Sequence, residues 1–167
     1  MKNWYLLQTK ARQEFIAEEN LARQEYRVYL PIIKQARKIR SKWQEITEPF
    51  FPGYLFIHLD MEAQNTSTIR STRGVLKLVK FGEETPQVPD DLVEGLRTRL
   101  LESAEEKVSL PFSKGEKVLI TDGCFSGLQA IFQCETGRER VVLLLDLLGK
   151  LNRIELAKHQ VAPFKDI

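Results

Sequence analysis

The chain has few of the residues that build metal sites and disulfide frameworks, since its 167 residues include two cysteines and two histidines. Cys124 and Cys134 lie ten positions apart, without the CxxC spacing of zinc sites and without a neighbouring histidine. We therefore expect reduced thiols, no metal and no other cofactor. No spacing of acidic residues matches a known acid–base, metal or phosphate-binding motif, so the sequence does not predict an enzyme.

Long hydrophobic runs are also missing. The longest purely apolar run, Val141 to Leu145, is far shorter than the ~18 residues that span a bilayer. The N-terminus has no apolar stretch of the kind found in secretory signals. We therefore expect a cytoplasmic protein without membrane contact. The 43% of hydrophobic residues and 29% of charged residues are enough for a packed core.

Charge of either sign is not in large excess: the formal net charge of +2 is too small to indicate nucleic-acid binding by itself. Its distribution is uneven, however. Residues 30–44 contain five basic side chains and no acid, and residues 63–82 contain four basic side chains and no acid. Residues 101–167 hold nine basic against ten acidic residues. The sequence thus predicts basic surfaces in the first half, with Lys34 to Lys42 as an exposed arm or hairpin tip.

Hydrophobic periodicity predicts an α+β unit over residues 1–100, in which strands and helices alternate. The predicted strands cover residues 4–8, 28–33, 43–47, 54–59 and 75–81. The predicted helices cover residues 10–26 and 66–71 and a segment that starts at Asp90. A charged stretch that ends in proline predicts a linker over residues 101–112, followed by a small second domain over 113–167.

The strand at residues 54–59 has apolar or aromatic residues on both faces. Its period of two places Leu55, Ile57 and Leu59 on one face and Tyr54, Phe56 and His58 on the other. Together with Phe51, the second face forms an aromatic cluster that the first domain does not need for its own core. Such clusters are typical anchors for a helical partner.

Gly115 to Gly127 alternates apolar residues with turn glycines and resembles a KOW motif, the hairpin of small five-stranded barrels. The leucine-rich segment Val141 to Ile154 is compatible with either a helix or two strands. Its leucines favour a helix by roughly 1–3 kcal/mol in total, while Gly123 and Gly127 each oppose a helix by ~1 kcal/mol. The second domain is therefore predicted as either a helical hairpin packed on the first domain or a released five-stranded β-barrel.

Taken together, the motifs cover almost the whole chain and resemble the NusG family of transcription elongation factors. They are Trp4 to Leu7, Phe51 to Phe56, Thr72 to Val75 and the KOW segment. Within that family, Glu48-Pro49, the segment from Arg73 to Gly82 and the leucine-rich tail are most similar to the operon-specific RfaH branch. The resemblance implies an N-terminal sheet with flanking helices, and a transcription antitermination factor without catalytic activity that suppresses pausing and termination.

The resemblance also implies contacts with RNA polymerase. Phe51, Tyr54 and Phe56 would bind the clamp helices of the largest subunit. The segment Asn65, Thr66, Ser67 and Thr68 would contact the gate loop, with asparagine in place of a leading histidine. From the residues alone, this second segment is better interpreted as a helix-capping cluster.

The resemblance further implies that a hairpin in the non-template DNA strand is read by Lys10, Gln13, Asn20, Arg23, Thr72 and Arg73. Asn20 stands where the family has histidine, and Ile16 replaces a basic residue, so the base preference is expected to differ in detail. Arg and Lys suit phosphates and guanine edges.

In the RfaH branch, the second domain covers the polymerase-binding face as a helical hairpin. After release it refolds into a barrel that contacts a small-subunit ribosomal protein. The resemblance then makes Phe125, Phe132, Leu143 and Leu144 interface residues, and Glu48 and Arg140 an ion pair that locks the domains. We expect Glu48→Ser to loosen them.

Two other functions remain open at the level of sequence. One is a general NusG-like factor with a permanent barrel and no DNA preference. The other is a ribosome-associated KOW protein that binds RNA, which would need a more basic second domain. We expect a monomer in each case.

Overall fold

The computed structural model describes residues 2–63, 66–105 and 124–161, except the side chains of 103–105, 124–126 and 152–161. Its strands are β1 (Asn3–Thr9), β2 (Arg27–Tyr29), β3 (Ile32–Ile39), β4 (Lys42–Pro49), β5 (Tyr54–Leu59), β6 (Val75–Leu78) and β7 (Gln87–Val88). Its helices are α1 (Glu14–Arg23), α2 (Ser67–Arg70), α3 (Asp90–Glu105), α4 (Cys124–Gln133) and α5 (Gly137–Val161).

The main sheet has five antiparallel strands. Four of them follow the order β2-β5-β1-β6, and β7 also pairs with β1. Strands β3 and β4 pair with each other and form a separate two-stranded ribbon. The sheet therefore belongs to the first part of the chain, as the predicted α+β unit requires, and the ribbon projects beside it.

Each face of the sheet packs against a different set of helices. Because side chains alternate along a strand, Leu55 and Ile57 face α1 and α2 in a core that also includes Leu21 and Ile69. Phe56 lies on the opposite face, in a core built with α3, α4 and α5 that includes Leu96. The prediction of two apolar faces on this strand is confirmed, and the result is a three-layer arrangement.

Helix α1 is shorter at both ends than predicted. Arg12 and Glu25 adopt φ angles of 62° and 68°, which a right-handed helix cannot contain. The helix therefore begins at Glu14 and ends at Arg23, and not at residues 10 and 26. Periodicity located the helix, but it did not detect the left-handed residues that delimit it.

Other predicted boundaries also differ from the structure; the strand predicted over residues 75–81, for example, ends at Leu78. The predicted strand 28–33 divides at Leu30-Pro31, because proline has no N–H for a ladder; the Pro31 carbonyl instead accepts a bond of 2.8 Å from the Phe50 N–H. Helix α3 continues through Glu105, so the first five residues of the predicted linker are helical. The rest of that linker lies outside the described residues.

The described part of the second domain is helical. Residues 129–132, which follow the KOW-like segment and would form a strand in the barrel alternative, lie in α4, and the leucine-rich segment lies in α5. Leu144 and Leu148 are four residues apart and fully buried in the core that contains Phe56. Burial of a leucine contributes about 2 kcal/mol, which exceeds the ~1 kcal/mol cost of Gly149 inside a helix. Most of the KOW-like segment, from Gly115 to Gly123, falls outside the described residues.

Candidate functional site

The aromatic cluster is covered by the C-terminal helices. Phe51 and Phe56 are 0% exposed and pack edge to face with their ring centroids 6.1 Å apart, while Tyr54 is half-buried. Burial raises the pKa of the Tyr54 phenol. The same core contains four buried side chains of α4 and α5, which are Leu128, Ile131, Leu144 and Leu148. The face expected to bind a helical partner is thus occupied by helices of the same chain.

Glycines allow these helices to approach the first domain closely. A Cβ atom at Gly95 in α3 would lie 2.7 Å from Cδ2 of Leu128 in α4. A Cβ atom at Gly137, the first residue of α5, would lie 2.6 Å from Cγ of Pro52. Both distances are far below an ordinary contact, so a Cβ at Gly95 would require the Leu128 side chain to move, and a Cβ at Gly137 would press on the ring of Pro52.

The predicted interdomain residues lie near this interface. Phe132 is half-buried, with its ring centroid 5.1 Å from that of Phe50, and the Arg99 guanidinium lies 4.9 Å from its ring. Leu144 is fully buried, and Leu143 packs partly buried against the same core. The side chain of Phe125 lies outside the described residues.

Arg140 holds the hairpin by a main-chain contact. Its Nε donates a hydrogen bond of 2.8 Å to the Phe50 carbonyl, and its guanidinium lies 4.4 Å from the Phe50 ring centroid. A longer bond of 3.4 Å runs from Nη1 to the Cys134 carbonyl. Only 6% of Arg140 is exposed, and this burial lowers the pKa of its guanidinium, while the charge of Glu48 acts in the opposite direction.

The expected ion pair between Glu48 and Arg140 is replaced by other partners in this structure. The Glu48 carboxylate pairs with Arg37 across the β3–β4 ribbon at 2.6 Å. Arg140 instead contacts the carbonyl and the ring of Phe50. This buried position offers a hydrogen-bond acceptor and an aromatic face, whereas an ion pair there would require a second charge to be desolvated. The sequence could not indicate the Phe50 carbonyl as the partner of Arg140, since every residue carries a main-chain carbonyl.

The predicted DNA-binding residues lie in α1, in the segment just before it and in the turn that precedes β6. These three segments meet around Gly74. Gly74, with φ +91°, turns the chain so closely that a Cβ atom there would lie 2.8 Å from the Ala17 nitrogen. Its carbonyl accepts a bond of 2.8 Å from the Lys10 N–H, and the Lys10 carbonyl accepts one of 3.0 Å from the Gln13 N–H. The side chains of Lys10 and Arg73 are exposed on this surface, and Gln13 is half-buried.

Other members of the predicted set are engaged within the chain. Arg23 pairs with Glu19 at 2.7 Å on the exposed face of α1. The Asn20 amide donates a bond of 2.7 Å to the Ile16 carbonyl.

Thr72 connects the segments that carry the predicted DNA-binding residues and is itself buried. Its hydroxyl accepts a bond of 2.7 Å from Gln24 and donates one of 2.8 Å to the Thr68 carbonyl. Gln24, which the motifs did not single out, therefore ties the end of α1 to the Thr72 turn.

The polar segment predicted to contact the gate loop surrounds the start of α2. Thr66 immediately precedes this helix and makes no side-chain cap bond, Ser67 opens the helix, and the Thr68 hydroxyl lies 2.8 Å from the Tyr26 hydroxyl. Asn65 lies outside the described residues. An open cleft next to this segment is lined by Thr66, Tyr54, three basic residues and Leu145 of α5; the basic residues are Arg70, Lys77 and Lys80.

Metal-ligand clusters and membrane-spanning helices are both absent from the described residues. Across residues 2–63, 66–105 and 124–161, no group of three or more His, Cys, Asp or Glu side chains could hold a metal ion. None of the helices described in those ranges is long and apolar enough to cross a membrane.

Comparison with known proteins agrees with the fold. A family model described as "Transcription termination factor nusG" matches residues 2–97. The chain is 26% identical to the transcription termination/antitermination protein NusG of Lactococcus lactis, covering 96% of this chain and 92% of that protein. It is 22% identical to the protein of the same name from Halalkalibacterium halodurans, with 96% and 97% covered.

A solved structure described as "Domain interaction in Thermotoga maritima NusG" is 24% identical, covers 68% of each chain and has a TM-score of 0.45. The match to the family model covers more than half of the chain. The chain therefore belongs to the NusG family of transcription termination factors.

Proposed function

We propose that this chain is an operon-specific transcription antitermination and elongation factor of the RfaH type, whose aromatic face binds the clamp helices of the largest RNA polymerase subunit. The observation that carries the proposal is the burial of Phe51 and Phe56 beneath α4 and α5. An apolar face that two helices of the same chain cover is well suited to a pair of foreign helices. The chain is then autoinhibited until the hairpin leaves.

Release of the hairpin exposes the apolar side chains of α4 and α5 as well as the aromatic face. Refolding of residues 113–167 into the KOW barrel would bury those side chains again, which gives the released domain a stable alternative. In that form the barrel would contact a small-subunit ribosomal protein and couple translation to transcription in the cytoplasm. The weak strand preference of the leucine-rich segment supports two folds of similar free energy.

The proposed DNA contacts lie on the surface around Gly74. Lys10 and Arg73 are exposed and free to bind phosphates or guanine edges, with Gln13 beside them. Arg23 and Asn20 would have to exchange their internal bonds for DNA contacts. Thr72 would hold the turn in place from its buried position. On the other side, the segment from Asn65 to Thr68 would contact the gate loop.

A general NusG-like factor is the second candidate, favoured by the names of the curated relatives. The name "Transcription termination/antitermination protein NusG" belongs to relatives from Lactococcus, Halalkalibacterium and Staphylococcus carnosus, which are 22–26% identical to this chain. A general factor would act on any template. The two candidates thus differ in their dependence on a DNA signal.

Transcription in vitro distinguishes them. The templates would be identical except for a pause element whose non-template strand forms a hairpin. We expect the protein to reduce pausing and termination on the template with the element only. The double variant Lys10→Ala/Arg73→Ala should lose this effect, while Lys2→Ala, an exposed lysine outside the surface, should keep it. Equal activity on both templates would establish the general factor, and no activity on either would refute both candidates.

A further inference from the structure

The β3–β4 ribbon projects from the domain without a core of its own. Every residue from Ala36 to Glu45 is exposed, the two strands pair with no other strand in the described part of the chain, and β3 contacts α3. A two-stranded ribbon is marginally stable in water by itself. Packing therefore does not explain the residues at its tip.

The tip carries positive charge that no described carboxylate pairs with. Nearer the base, Lys34 pairs with Glu45 at 3.7 Å and Arg37 with Glu48 at 2.6 Å. In the described part of the chain, no ion pair is recorded for the three remaining cations of the ribbon, which are Lys38, Arg40 and Lys42. Three unneutralised cations therefore lie within five residues of one another.

The turn at the tip is built from residues that are unfavourable there. Arg40 and Ser41 adopt φ angles of 53° and 68°, the left-handed conformation for which a two-residue hairpin turn normally uses Asn-Gly. A residue with a Cβ costs roughly 1–2 kcal/mol in this conformation. The sequence thus keeps a cation at the extreme tip at the expense of local stability, which points to a role in binding.

An exposed tryptophan lies beside these cations. Trp43 is 72% exposed and stands directly opposite Lys38 in the ribbon register. Cations that bind phosphates and a ring that packs on sugars or bases are the combination found on nucleic-acid-binding surfaces.

We propose that the tip of the ribbon, formed by Lys38, Arg40, Lys42 and Trp43, binds double-stranded DNA without sequence preference. The B-DNA major groove is about 12 Å wide and admits a two-stranded ribbon. A single exposed ring does not form the row of aromatic side chains on which successive bases of a single strand stack. This surface is separate from the one around Lys10 and Arg73, and its test does not depend on the function proposed above.

Binding of the full chain to a duplex of 20 base pairs, followed by fluorescence anisotropy, tests the charge contribution. Three phosphate contacts predict that log K falls against log salt with a slope of about −2.7, or roughly 40-fold between 50 and 200 mM salt. The variant K38A/R40A/K42A should lose this component. The control K2A/R138A/K150A removes the same charge at exposed positions outside the ribbon and should retain it.

The two tryptophans provide a second readout, because Trp4 is 3% exposed and Trp43 is 72% exposed. Acrylamide should quench Trp43, and the duplex should protect it. Equal losses of affinity in the ribbon variant and the control would overturn the proposal. Tighter binding of a 20-nucleotide single strand through the same residues would also overturn it, as would protection of Trp43 by phosphatidylserine vesicles and not by the duplex.

Discussion

Arg140 illustrates what sequence could and could not predict for a single residue. The resemblance identified Arg140 as an interdomain contact, and the structure places it there. Its partner, however, is the Phe50 carbonyl, and main-chain acceptors leave no signature in a sequence. The predicted partner Glu48 is instead held by Arg37 on the neighbouring strand. Side-chain types therefore indicated the location of the contact but not its chemistry.

Replacing Arg140 with methionine tests this contact. Arg140→Met keeps an apolar stem but leaves the Phe50 carbonyl without its donor, which costs about 1–3 kcal/mol. We expect amide hydrogen exchange in residues 138–151 to accelerate by roughly 5- to 150-fold, following the conversion of 1.36 kcal/mol per factor of ten.

The matched control is Glu48→Gln, which removes a charge that pairs within the ribbon. It should change exchange in α5 by less than about fivefold, since partly exposed ion pairs contribute ~0–1 kcal/mol. A larger effect from Glu48→Gln than from Arg140→Met would mean that the ion pair holds the domains after all.

At the scale of elements, regular patterns were predictable and competing patterns were not. The alternation of side chains in β5 correctly predicted which residues lie on each face of the sheet. A short segment with a period of two and apolar residues on both faces has one structural interpretation, a strand that is covered on both sides. The segment in α5 had no such single interpretation. Its fold depends on whether Leu144 and Leu148 can be buried on the aromatic face, which is a tertiary contact that local propensity does not contain.

Docking of α5 depends on the absence of a side chain at Gly137. Gly137→Ala places a Cβ atom against the rigid ring of Pro52, so we expect α5 to shift and its amide exchange to accelerate about tenfold, as for an overpacked contact of 1–3 kcal/mol. The double variant Pro52→Ala/Gly137→Ala restores the space and should exchange more slowly than the single variant. If both variants exchange at the same rate, the effect arises from α5 itself and the predicted contact is wrong.

For the whole molecule, our proposal gives one apolar face two alternative uses. In the closed state, the helices from residues 124–161 bury the aromatic residues that, in our proposal, bind polymerase. Apolar burial supplies most of this closure, since the polar contacts at the interface centre on Arg140. To move the population from 1:99 to 99:1, a competing partner must bind the open state about 10⁴-fold more tightly than the closed state.

A disulfide between positions 52 and 137 measures this competition most directly. In a chain with Cys124 and Cys134 replaced by serine, we expect Pro52→Cys/Gly137→Cys to bring two thiols within reach of each other, because a Cβ atom at position 137 would lie 2.6 Å from Cγ of Pro52. Binding to RNA polymerase would be measured on a template with the pause element, before and after addition of a reductant. We predict no binding of the oxidised protein and recovery on reduction; full binding of the oxidised protein would contradict the proposal that the covered face is the one polymerase uses.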